Sequence, residues 1–89
     1  MIYQIEIANH IDLLTEHLPE YAMLLKHSGG TQYEISEDDV VDLLDELYSA
    51  TVYLGQDEKN NPTPLGYKLE DLHDSILYQV LEIDKHRED

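Results

Sequence analysis

Between positions 37 and 46, six of ten side chains are Asp or Glu, and none is Lys or Arg. The stretch that carries them, 36–54, still reads as a helix. Val40, Val41, Leu43, Leu44, Leu47 and Tyr48 recur at spacings of three and four, which puts them on one face. Ser36 is placed to cap the first turn, with Asp39 three residues on as the acidic half of a capping box. Ile35 precedes the cap and can staple to that turn. Glu37, Asp38 and Asp39 suit a helix N-terminus, where the macrodipole favours carboxylates.

The same explanation does not cover Asp42, Asp45 and Glu46. Asp38 and Asp42 lie four apart, as do Asp42 and Glu46. Each such like-charge pair costs about 0.2–0.5 kcal/mol. No cation stands at the compensating spacing. A solvated helix face would explain the acids; so would a negative surface matched to a basic partner.

The whole chain shares this bias. Twenty Asp and Glu against five Lys and Arg leave a formal net charge of −15. Direct binding to nucleic acid is disfavoured, because no basic patch displaces counterions. Anionic membrane surfaces are disfavoured for the same reason. With 89 residues and 42% apolar side chains in periodic runs, the expectation is a single small acidic domain, 1–89, with a modest core. There is no cysteine, hence no disulfide, thiolate metal site or thiol nucleophile. Neither a signal peptide nor a membrane-length apolar run is visible, so the expected location is the cytoplasm. Seven Tyr with no Phe or Trp suit half-buried and contact positions.

Along the chain, alternation over residues 2–7 favours a strand, with Asn9 as the cap of the next element, although Ile7, Ile11, Leu14 and Leu18 also fit a helix. A helical region spans 10–27. Pro19 divides it into two short helices and takes the first position of the second. Lys26 and His27 would close its last turn, and Ser28-Gly29-Gly30 would stop it. TQYEI at 31–35 predicts a short strand able to pair with the first. Residues 55–66 form a loop, QDEKNNPTP at its centre. The last helix is expected over about 68–85, its stripe set by Leu69, Leu72, Ile76, Val80 and Ile83, with a frayed tail at 86–89. The fold class is therefore mostly α within α+β. Three to four helices surround a small core, beside a two-stranded β element from residues 2–7 and 31–35.

Catalytic and metal patterns fail on spacing. His10 and His17 share a helix face but complete no HExxH spacing, and His73 has acidic neighbours that should point away from it. GQDEKNNPTPLG has Asp57, Asn60 and Asn61 but not the alternating acids, central Gly and terminal Glu of a calcium loop. No serine sits in a nucleophile elbow, and no phosphate loop exists. No enzyme activity, cofactor or metal is expected.

The expected function is protein binding. Asp38, Asp42, Asp45 and Glu46 would steer and pair with a basic, nucleic-acid-binding surface of another protein, joined by Glu70 and Asp74. Tyr48 and Tyr53 would be apolar anchors among them. Duplex DNA carries a charge per about 1.7 Å of axis, and a helix rises about 1.5 Å per residue, so an acidic helix can imitate its charge density. Size and charge are similar to those of nuclease-immunity proteins and DNA-mimic inhibitors, a likeness of composition that covers no motif. An inhibitor, a phage or mobile-element anti-defence protein and an immunity protein all fit. The alternative is a cytosolic helical scaffold without catalytic function that self-associates, its acidity serving solubility. The chain would be a monomer or a homodimer.

Overall fold

A computed structural model describes residues 1–87 of the chain. Its elements run β1 (Ile2–Glu6), α1 (Ile11–His17), α2 (Pro19–Ala22), β2 (Lys26–Gly29), β3 (Gln32–Ser36), α3 (Glu37–Tyr53) and α4 (Pro64–Arg87). The strands form one antiparallel sheet in the order β1-β3-β2. The fold is α+β with three strands, so the two-stranded, mostly helical expectation is corrected.

The first and middle strands are the two expected ones. Tyr3 opposes Ile35 and Ile5 opposes Tyr33. The period of two sends Tyr3, Ile5 and Ile35 into the core, while Ile2, Gln4 and Glu6 face solvent. The extra strand comes from residues assigned above to a helix end. Helix α2 stops at Ala22, and Lys26–Gly29 turns back along β3. Gly29 and Gly30 have φ of 131° and 55°, a backbone that side chains strongly disfavour. The pair makes a hairpin, not a helix stop. His27 braces it: its Nε2 donates to the Gly30 carbonyl at 2.8 Å, and its ring lies 5.1 Å from that of Tyr33.

Pro19 starts α2 at its first position, as expected. The residue before α1 is His10, not Asn9. It sits at φ 70° and supplies no side-chain cap. Its ring reaches Asp71 at 3.3 Å instead. Helix α4 begins four residues before the predicted start. Thr63 explains this: its hydroxyl accepts from the Gly66 amide at 3.1 Å, and Pro64 needs no donor at the first position. The loop is correspondingly shorter. The Asp57 carboxylate accepts the amides of Lys59 (2.8 Å) and Asn61 (2.9 Å). Those two bonds hold its carboxyl below the ordinary carboxylate range. The helix continues through His86 and Arg87, so the frayed tail is corrected there; the rest of that tail lies outside the described residues.

Helices α3 and α4 form an antiparallel hairpin. At its closed end, Gly55 and Gly66 touch backbone to backbone. A Cβ on Gly66 would overlap the Gly55 carbonyl oxygen. Leu43, Leu47, Leu69, Leu72 and Ile76 are completely or almost completely buried beneath the hairpin, in one core with Ile5, Leu14 and Ile35. Two polar ties bind α4 to β1. The Tyr3 hydroxyl donates to Asp84 Oδ1 at 2.6 Å. The Gln79 carboxamide meets the outer edge of β1 twice, accepting from the Glu6 amide and donating to the Glu6 carbonyl, both at 2.7 Å. Among the described residues, no helix is long and apolar enough to cross a membrane.

Candidate functional site

Helix α3 starts where its cap dictates: Ser36 Oγ accepts from the Asp39 amide at 3.1 Å. Val40, Leu43, Leu47 and Ala50 face inward. Most of the acids are thereby turned outward, with Asp39 and Glu46 half-buried. Asp38, Asp42 and Asp45 are exposed along the crest, together with Val41 and Val52.

The eight predicted site residues do not form one flat patch. Glu46 and Tyr48 are two residues apart, which puts them about 160° apart around a helix. They therefore overlook opposite flanks. On one flank, the Tyr53 hydroxyl donates to Glu46 Oε1 at 2.7 Å. The two line a cavity of about 300 Å³ with His17, Glu20 and Tyr21. The negative charge of Glu46 holds the Tyr21 hydroxyl above its ordinary value, and the hydrogen bond to Glu46 does the same for Tyr53. On the other flank, Tyr48, Glu70 and Asp74 come together, a meeting that the sequence does not determine. They line a cavity of about 280 Å³ with Thr51 and His73. The Tyr48 and His73 rings lie 6.4 Å apart. His73 Nδ1 is 3.1 Å from Asp74 Oδ1, so these neighbours do not point apart as sequence spacing suggests.

Tyr21 and His73 were not among the predicted residues. Only a loose signal existed for either: Tyr21 is an aromatic in a four-residue helix, and His73 lies one turn from Glu70. Their positions depend on how the helices pack.

Carboxylates and phenols converge on both flanks. Among the described residues, no three His, Asp or Glu side chains gather as a metal ion would need. Such surfaces accept hydrogen bonds from ammonium and guanidinium groups and offer tyrosine faces to cations. Among the described residues, no Lys or Arg pairs with a carboxylate; the carboxylate ion pairs involve histidines and the chain's N-terminal amine. Among the described residues, the charge of α3 therefore meets one cation of the protein itself, the N-terminal amine 3.9 Å from Glu37. Compared with family models, curated proteins and solved structures, the chain matches none.

Proposed function

We propose that this is a non-catalytic protein-binding module. Its α3 carboxylates engage a basic surface of another protein, of the kind that binds nucleic acid, in the manner of an inhibitor or immunity protein. The observation that carries this reading is the uncompensated charge of α3. Six carboxylates between 37 and 46 have no Lys or Arg among them. Spread over nine helical rises, that is a charge per about 2.3 Å, near the 1.7 Å of duplex DNA. The helix dipole favours Glu37, Asp38 and Asp39 but not Asp42, Asp45 and Glu46, whereas a basic partner would be steered by all six. The partner would be met in the cytoplasm.

The test is capture of partners from the source cell's lysate on the immobilised protein, eluted in salt steps, beside the D42K/D45K variant. Both side chains are exposed, and the reversal gives helix-stabilising neighbours in Asp38 and Glu46, so folding should be retained. A basic nucleic-acid-binding protein released at moderate salt, and lost in the variant, is the expected outcome. Equal capture by the variant would remove the reading. The scaffold alternative finds support in the exposed Tyr67, Tyr78 and Leu81 of α4. Its mark would be a dimer that persists at high salt.

A further inference from the structure

The outer side of the α3–α4 hairpin carries more than charge. Val41 is 54% exposed, Tyr48 66%, Tyr78 67% and Leu81 53%, far more than packing partners would leave open. Whether these side chains share one surface depends on helix register, and four separate observations fix it. Gly55 touches Gly66. Thr51 and Glu70 line one cavity. The Tyr48 ring lies 6.4 Å from that of His73. At the far end, the Glu37 amide donates to the Met1 carbonyl at 2.9 Å, while Tyr3, two residues along the same strand, bonds Asp84. The helices thus run side by side over their shared length, each step along α3 matched by a step back along α4. Leu44 lies level with Leu77, both half-buried at the seam. Val41 lies level with Val80, and Leu81 is the next residue outward from it.

The seam between the two helices is thereby a shallow apolar groove, with Leu44 and Leu77 half-buried along it, Val41, Tyr48 and Leu81 beside it, and Tyr78 farther out on the crest of α4. Asp38, Asp45, Glu70 and Asp74 form the rim. We propose that this groove docks an amphipathic helix of the partner, with apolar residues at helical spacing and Lys or Arg along both margins. The proposal rests on the protein-binding reading above and names the partner segment. Charge complementarity selects the occupant. A second copy would set one acidic rim against another in a chain of net charge −15. An anionic lipid surface would be repelled in the same way.

Two labelled peptides of identical Leu/Lys composition and about five helical turns test this by fluorescence anisotropy. One has Leu at helical spacing; the other is scrambled. The amphipathic peptide should bind roughly tenfold tighter, and Tyr78→Ser with Leu81→Ser should remove that advantage. Met23→Ser, exposed but on α2's C-terminal side, should leave it intact. Equal, salt-sensitive binding of both peptides would overturn the groove while leaving the acidic-face reading standing. A preference that survives the Tyr78 and Leu81 changes would also overturn it. Failure of both peptides to bind would sink both readings. A dimer of the free protein that the peptide does not dissolve would give the groove to a second copy, and overturn the proposal.

Discussion

The two long helices treat their carboxylates differently. On α4, four of five acids have a partner: Asp71 meets His10, Asp74 meets His73, Glu82 meets His86 and Asp84 accepts from Tyr3. On α3, among the described residues, one acid of six accepts a side-chain hydrogen bond, Glu46 from Tyr53, and Glu37 lies 3.9 Å from the N-terminal amine. Both helices bury the same kind of leucine-rich face, so the contrast does not arise from packing. It teaches that acidity in this chain has two uses. On α4, Asp71 and Asp84 tie the helix to the fold while Asp74 and Glu82 meet histidines of the same helix, and on α3 the acidity is presented outward.

Removing what the helices share should have the largest effect. Leu47→Ala empties a fully buried site beneath the hairpin and should cost about 2–5 kcal/mol in urea unfolding. A smaller loss would mean that the hairpin collapses around the gap and packs less tightly than its burial indicates. Next is the tie on α4. Tyr3→Phe removes the hydroxyl bonded to Asp84 and should cost about 1–2 kcal/mol. That hydrogen bond, then burial, holds the Tyr3 proton above the ordinary value of 10.0. The folded state thus keeps a proton that the unfolded chain releases. The Tyr3 contribution is whole below pH 10.0 and declines as pH rises through the folded value. The Phe variant should show a shallower alkaline decline.

The contrast is sharpest in sign. Asp42→Asn removes two like-charge pairs on α3 and should stabilise the fold by about 0.4–1 kcal/mol. Asp71→Asn on α4 loses its His10 contact and should be neutral or slightly destabilising. Thermal melts at low salt would decide, and matching signs would dissolve the distinction. The smallest effect belongs to Asp57→Ala in the connecting loop. Backbone amides hold the Asp57 carboxyl low, so its contribution is present above the ordinary 3.8 and lost as pH falls through the folded value. Faster amide exchange at Lys59 and Asn61, with little change in melting, is expected.

How legible each part was depends on where its information lies. Helix α3 could be read because its cap, its apolar period and its polar face all sit within one continuous stretch. The β1–β3 pairing could be read because Tyr3, Ile5 and Ile35 alternate. Strand β2 could not be read. Its four residues are all exposed, so no alternation marks them, and pairing with β3 makes the strand. The site divides in the same way. Tyr48, Glu70 and Asp74 could each be named as contact residues. That they meet is decided by the Gly55–Gly66 contact, which sets the helix register. Tyr21 meets Glu46 across a cavity between elements far apart in sequence, which no local pattern records.

Gln79 carries a consequence beyond its tie to β1. Its carboxamide imitates a neighbouring strand at Glu6, offering one acceptor and one donor where a new chain would place its own. Fibrillar polymerisation requires an open template at both ends of the monomer. Here a strand arriving beside β1 must first evict Gln79, whereas the opposite edge at Lys26–Gly29 is short and interrupted by a register shift. The side chain therefore acts as a built-in chain terminator. Gln79→Ala would be expected to shorten the lag time of aggregation without changing the fold of the monomer.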